Sequence, residues 1–398
     1  MKEQMTGPAL APPRGFRDIL PLEARELRAI ERSVGETFAL HGYVPLEPPV
    51  VEHASSTLPV RADRLIRFLD RDGALVVLRP DVTTAVARLV AQRYATASGA
   101  LRLAYFGAVF REEPAMLGAE RQHDQAGVEL VGVSGLVADA EVLALLAETL
   151  ARCGLTRATI EVGHLGLVRR LLAGLDAGAT DEVLAALRAG RVVEALARAG
   201  AGGLDGPSLA RARHVLAVRG GMPADADLPE AAELAETIAL ARELYPGDGS
   251  DGPYVANVGL LPDLPYYTGI VFEALSEGVR YPVAAGGRYD ELLLSFGTPR
   301  PAIGFAIPVP RLHLALYQSG WRVADERPLV TLRPSRDVRA ALRVARALRA
   351  KGIAVALGDV AEHAGLELVP LEVVDERTVR DASGRRTPVD LVAARLAG

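Results

Sequence analysis

Residues 106–132 read FGAVFREEPAMLGAERQHDQAGVELVG. Alternating positions make strands of Leu101–Phe110 and of 126–133, joined by the polar loop 112–124. The first strand runs into Phe110, Arg111 and Glu113, and the second carries Gln125, Gly127 and Glu129. An arginine and a glutamate so placed can hold a phosphate and an amino acid side by side. Gln125 and Glu129 are an even number of residues apart, so a strand presents both on one face, while Val128 and Leu130 turn the other way. A carboxylate there can accept the N–H of an imidazole, and an amide can meet a carboxylate or a ring.

The chain has 398 residues, enough for two or three domains. Its hydrophobic share of 49% and charged share of 24% are those of a soluble globular protein. A formal charge of −5 speaks against a nucleic-acid partner, which needs concentrated cations to neutralise phosphates. The single cysteine, Cys153, excludes an internal disulfide or a cysteine-based zinc cluster and reads as a small core residue. No metal or cofactor is implied. Without a signal-like start or a long apolar run, the expectation is a cytoplasmic protein that does not contact membrane.

Residues 21–41 have helical periodicity, with Leu22, Leu27, Ile30, Val34 and Phe38 on one face and Gly42 as the stop. An extended segment over 43–51 is broken by Pro45, Pro48 and Pro49. Leu75–Leu78 reads as a strand, 81–93 and 137–153 as helices, and 158–162 as a strand. Helical patterning takes over from 164 to 246, where Thr180, Asp181 and Glu182 form a cap and acidic first turn. Strands return at 254–259, 266–275 and 284–289, followed by a helix near 290–296 and a strand–helix unit over 302–318. After a linker holding Asp325 and Glu326 come a strand at 329–332, a helix capped by Ser335, Arg336 and Asp337, a strand at 353–357 and two short strands within 366–380. The pattern predicts an α+β chain. Its parts are an antiparallel sheet flanked by helices from 1–163 and 247–321, a helical insertion at 164–246, and a small α/β module at 326–398.

Three further segments join the hairpin in carrying candidate chemistry. Gly15-Phe16-Arg17-Asp18-Ile19-Leu20-Pro21 leads into the first helix. Arg79-Pro80-Asp81-Val82-Thr83 lies where a strand turns into a helix, so its carboxylate and hydroxyl can accept from an ammonium or cap the helix. Tyr266-Tyr267-Thr268-Gly269-Ile270-Val271-Phe272-Glu273 is followed by Ala285-Gly286-Gly287-Arg288-Tyr289-Asp290. Paired tyrosines on a strand can fill a core or line a site, and a glycine pair lets backbone approach a ligand.

Together these segments resemble the histidyl branch of the class II aminoacyl-tRNA synthetases. The hairpin is similar to their motif 2, and the first segment to their motif 1, which forms a dimer interface. The resemblance implies the class II fold. It assigns Asp81 and Thr83 to the α-amino group of histidine, and Gln125, Glu129, Tyr266 and Tyr267 to the same amino-acid pocket. Asp81 stands where the synthetases usually have glutamate. Arg111, Glu113, Arg121 and Arg311 become candidate anion or nucleotide contacts.

The resemblance breaks where the reaction would take place. The synthetases carry an arginine five residues before the second tyrosine of R-G-L-D-Y-Y, and here that position is Pro262. No Lys, Arg or His falls between Glu243 and Val279. That arginine neutralises the α-phosphate and the histidine carboxylate, and such a group contributes on the order of several kcal/mol to a transition state. Their motif 3, G-F-A-x-G-x-E-R, reads here Gly304-Phe305-Ala306-Ile307-Pro308-Val309-Pro310-Arg311. The stretch 374–381 resembles part of a shortened anticodon-binding domain, and Arg336, Arg339, Arg343 and Arg346 read as a solvated face ahead of an RNA surface.

A synthetase-like fold that keeps the histidine contacts and loses the adenylation residues is most similar to the regulatory subunits of ATP phosphoribosyltransferase. This resemblance implies a chain without catalysis of its own. It would assemble with the short-form catalytic subunit in the first step of histidine biosynthesis, mediate feedback with histidine as effector, and self-dimerise through its motif 1 region. The competing expectations are an active histidyl-tRNA synthetase and a free-standing histidine sensor.

Overall fold

The structure, a computed structural model, describes residues 10–56, 62–112, 120–217, 220–221, 228–247, 249, 252–261, 264, 266–323, 328–334, 337–360 and 367–397. Glu113, Pro262, Asp325, Glu326, Ser335 and Arg336 lie outside the described residues.

Helix α1 (Pro21–Leu40) buries Leu27, Ile30, Val34 and Phe38. Leu22 is exposed, contrary to expectation: at about 100° per residue it falls well away from that stripe. The helix closes with Tyr43 N–H on the Phe38 carbonyl (3.1 Å) and Gly42 N–H on that of Ala39 (3.0 Å). That closure needs a left-handed residue, and Gly42 supplies it with φ +77°.

β1 (Val44–Pro45) follows, then β2 (Val51–His53), β3 (Arg67–Leu69) and β4 (Leu75–Leu78), which pair as a small antiparallel sheet in the order β2-β4-β3. α2 (Thr83–Arg93) precedes the hairpin of β5 (Leu101–Phe110) and β6 (Gln122–Val131). β6 starts four residues earlier than the apolar pattern indicates, because His123 and Asp124 join the ladder despite their polarity. Next come α3 (Leu136–Arg152), β7 (Thr159–His164) and five helices: α4 (Leu165–Leu171), α5 (Ala177–Arg188), α6 (Val192–Ala201), α7 (Gly206–Leu216) and α8 (Pro229–Leu244). β8 (Tyr254–Ala256), β9 (Ile270–Leu275), β10 (Ala284–Arg288), β11 (Ala302–Pro308) and α9 (Val309–Gln318) complete this part. The helix expected near 290–296 is a single 3-10 turn at Leu293–Phe296, ended by the left-handed Gly297.

Eight strands form the main sheet in the order β1-β5-β6-β11-β10-β9-β7-β8. The interior pairings are antiparallel, and the edge strands β1 and β8 each run parallel to their neighbour. Helices α5, α6 and α7 stack on one another, whereas α8 packs on α3, β7 and β8. The helical stretch belongs to the same compact unit as the sheet, made of Met1–Asp18 and Leu27–Trp321.

The second unit comprises Ile19–Glu26 and Arg322–Gly398. Its elements after residue 321 are β12 (Leu329–Pro334), α10 (Val338–Ala350), β13 (Val355–Leu357), β14 (Leu368–Val373), β15 (Thr378–Arg380), β16 (Arg386–Pro388) and α11 (Val389–Ala397). They form a five-stranded sheet ordered β13-β12-β14-β15-β16. Asp337 caps α10 by accepting from Arg339 N–H (2.9 Å) and Ala340 N–H (3.1 Å). The buried face of α10 is Ala340, Ala341, Val344, Ala345 and Leu348, while Arg343 on the outer side pairs with Glu376 at 2.6 Å. No described helix is long and apolar enough to cross a membrane.

Candidate functional site

The site begins with the turn before α2. Arg79, itself buried, donates to the carbonyls of Ala108 (2.8 Å) and Pro48 (2.6 Å), fixing the turn against the end of β5. Gly107 leaves the space that the guanidinium fills. Asp81 Oδ1 accepts from Thr84 N–H at 2.7 Å, so this carboxylate does cap the helix. Its Oδ2 is buried and has no hydrogen-bond partner among the described residues.

On β6, Gln125 and Glu129 share a face with Gly127, and both side chains are buried. They stand roughly 13 Å apart along the strand. Glu129 is 1% exposed. Its Oε2 accepts from the Tyr289 hydroxyl, and its Oε1 has no partner among the described residues. Gly304, directly opposite on β11, has no room for a Cβ because the Glu129 carboxyl occupies that space. Tyr105 on β5 faces Gly127 in the same way, with its hydroxyl unpartnered among the described residues.

Tyr266 and Tyr267 close the cluster, their ring centres 4.9 Å apart, and Tyr266 meets Tyr289 edge-on at 5.6 Å. The expectation of both tyrosines on a strand is corrected: they precede β9, which begins at Ile270. The glycine pair also has another cause than ligand approach. Gly287 makes room for the Tyr267 ring, and Gly286 for Phe272.

Burial pushes the Glu129 carboxyl up to about 8 from an ordinary 4.5; the Tyr289 hydrogen bond and the nearby Thr83 hydroxyl oppose this, and the Asp81 charge adds to it. The phenols of Tyr105, Tyr266, Tyr267 and Tyr289 are all held above their ordinary value, by burial first. They remain hydrogen-bond donors at neutral pH.

Strand pairing extends this face across the sheet. Gly127 lies opposite Ala306, Ala306 opposite Ala285, Ala285 opposite Glu273, and Glu273 opposite Glu161. Asn257 donates to Glu161 Oε2 at 2.6 Å. The floor is therefore glycine and alanine beside the acidic groups Glu129, Glu161 and Glu273, and among the described residues no strand of this sheet places a lysine or arginine on it.

The candidate anion contacts have other company. Arg111 Nε donates to the Pro80 carbonyl at 2.8 Å. Arg121 pairs with Glu112 and lies over the Phe16 ring at 5.4 Å. Arg311 lies over Tyr281 at 5.2 Å and donates to the Pro282 carbonyl at 3.3 Å. Pro308 ends β11 and Pro310 sits in the first turn of α9, where an N–H has no helical partner, so the helix forms undisturbed. Arg288 is buried between Asp139 (2.6 Å) and Asp290 (3.0 Å) and ties β10 to α3.

Sequence reasoning missed Tyr105, Tyr289 and Asp139 as members of this region. Tyr289 lay within a quoted motif and Tyr105 lies on β5 opposite Gly127, between Gln125 and Glu129, but nothing local marks Asp139. An open cleft of about 260 Å³ lies elsewhere, lined by Leu150, Ile160, Tyr245 and Val255 among others, and includes none of the site residues.

Residues 15–312 match the family model for histidyl-tRNA synthetase. A Symbiobacterium thermophilum relative named ATP phosphoribosyltransferase regulatory subunit is 36% identical over 371 residues, covering 89% of this chain and 92% of its own. A Moorella thermoacetica protein of the same name is 35% identical, covering 87% and 91%. Among solved structures, a Bacillus halodurans protein described as an ATP phosphoribosyltransferase regulatory subunit/histidyl-tRNA synthetase matches with TM-score 0.81 at 28% identity, over 92% of this chain and 99% of that one. Histidyl-tRNA synthetase from Nostoc shares the fold with TM-score 0.78 at 18% identity, over 98% and 99%. By these similarities, the chain belongs to the ATP phosphoribosyltransferase regulatory subunits, a family built on the histidyl-tRNA synthetase fold.

Proposed function

We propose that this chain is a non-catalytic regulatory subunit that activates the short-form ATP phosphoribosyltransferase catalytic subunit and carries histidine feedback to it. The names of its relatives support the partner, and the pocket supports the effector. The observation that carries the effector assignment is the pair of buried carboxylates, Asp81 and Glu129, each with an oxygen lacking a partner among the described residues. Such oxygens are costly to bury unless a ligand satisfies them. In this reading Asp81, with Thr83, accepts from the α-ammonium of histidine. Glu129 meets the imidazole, Tyr266 and Tyr267 wall the pocket, and Gln125 reaches the far end of the ligand.

The same floor argues against adenylation. A triphosphate laid across Glu129, Glu161 and Glu273 meets carboxylates and, among the described residues, no strand-borne cation, whereas phosphoryl and acyl-phosphate chemistry relies on placed positive groups. In the same reading 326–398 is a shortened anticodon-binding-like module, and the motif 1 region, with Val44, Val50 and Val51 exposed, is the self-dimer surface.

Reconstitution tests the proposal. The purified chain should form a complex with the short catalytic subunit, raise its phosphoribosyl transfer activity, and make that activity sensitive to histidine. Histidine-dependent ATP–pyrophosphate exchange by the chain alone would return it to the synthetases. Histidine binding with no complex at micromolar concentration would identify a free-standing sensor.

A further inference from the structure

Among the described residues, the carboxyl of Glu129 is surrounded by neutral or acidic groups. The start of α2 and the turn before it bring Thr83 and Asp81, β5 brings Tyr105, the segment before β9 brings Tyr266 and Tyr267, Tyr289 follows directly on β10, and β11 contributes only the bare backbone of Gly304. Tyr43 also feels the Glu129 charge, with Arg102 over the Tyr43 ring at 5.5 Å and that arginine paired to Glu141. No described cation pairs with either Glu129 or Asp81. Two carboxylates in one buried cluster without a counter-ion cannot both stay ionised cheaply, because each charge disfavours the other.

We propose that the ligand-free pocket holds Glu129 as a neutral acid, and that an imidazole ligand binds by taking that proton rather than one from water. Resting on the histidine reading above, this makes Glu129 a residue that selects a side chain able to accept a proton. On binding, the Glu129 O–H bond breaks and an N–H bond forms on the basic imidazole nitrogen. The proton stays in the pocket, and the resulting carboxylate and imidazolium neutralise one another. Tyr289 is the positioning residue: by donating to Oε2 it leaves Oε1 for the ligand. The value of about 8 for the carboxyl in the empty pocket agrees with this geometry. Within that frame, histidine entering at neutral pH exchanges no proton with solvent. Above about pH 8 the empty carboxyl ionises, so binding draws a proton from water and weakens about tenfold per pH unit.

Two measurements on the full chain test this separately from the histidine assignment. Infrared difference spectra of ligand-free wild type minus Glu129→Gln should show a protonated carboxyl band at neutral pH that titrates away near pH 8; carboxylate bands at neutral pH would overturn the inference whether or not histidine binds. Because Gln is nearly isosteric, the variant should keep its fold, and Tyr289→Phe gives an independent check by moving the titration to higher pH. Calorimetry with L-histidine in phosphate and in Tris, whose ionisation enthalpies differ widely, should then give equal observed binding heats, because no net proton is taken up at neutral pH. In Glu129→Gln the alkaline loss of affinity should disappear between about pH 8 and about pH 9. Binding accompanied by uptake of a full proton at neutral pH would overturn the inference and leave the pocket assignment standing. A protonated band with no binding heat would uphold the neutral acid, reject the proton transfer, and reject the histidine assignment.

Discussion

Asp81 uses its two oxygens for different ends. Oδ1 holds the start of α2 through Thr84 N–H, and Oδ2 faces the cluster without a partner among the described residues. Asparagine can keep the first role but not the charge. Asp81→Asn is therefore expected to unfold within about 0.5 kcal/mol of wild type while losing on the order of tenfold in histidine affinity, and Asp81→Ala to lose about 1 kcal/mol as well. Urea titration beside calorimetry separates the two effects; equal loss of stability in both variants would refute the division. Glu129 gives a pH-dependent signature. Its proton is held more tightly in the fold than in the unfolded chain, so that stabilisation is complete below about 4.5 and is lost as pH rises to about 8. Ligand-free Glu129→Gln should match wild type at the acid end and exceed it above about pH 8, by up to on the order of 5 kcal/mol. A difference that does not vary with pH would contradict this.

Among the elements, β10 and β11 show how much the pocket depends on what backs it. Arg288 at the end of β10 is held by Asp139 from α3, both side chains being nearly inaccessible. Removing one partner leaves a buried charge, so Asp139→Ala should cost about 3–5 kcal/mol in denaturant unfolding, and a cost below about 1 kcal/mol would mean the pair is not buried in solution. Gly304→Ala on β11 drives a methyl group into the Glu129 carboxyl, and overpacking of that kind costs about 1–3 kcal/mol. Its histidine response should fall further than its stability, read by comparing binding heats with melting. The strands that carry these residues were legible unequally. The expected bounds Leu101–Phe110 match β5, an almost unbroken apolar run interrupted only by Arg102, although its burial does not alternate residue by residue. β2 and β3, three residues each, carry too few positions for any period to show. The Tyr266–Tyr267 pair looked like strand because aromatic residues favour strands, yet the two rings pack on each other, and Tyr266 on Tyr289, ahead of the strand.

For the whole molecule, two units have separate cores, one running from α1 through α9 and the other centred on Val330, Val344 and Leu371. Calorimetric melting is expected to resolve two transitions, with Asp139→Ala lowering one and leaving the other in place; a single transition shifted as a whole would deny their independence. The site was legible in the residues that break the apolar alternation, as Glu129 does between Val128 and Leu130. It was not legible in Asp139 or Tyr289, whose roles exist only once segments distant in sequence meet. That distance has a consequence during synthesis. β6 is complete at residue 131, but its second neighbour, β11, spans Ala302–Pro308. A nascent chain thus carries the acidic side chain of Glu129 through the making of every intervening helix before the strand that encloses it exists. If the proposed histidine reading holds, a ligand meets a finished pocket only on a chain extended past residue 308, and shorter growing chains offer it no complete site.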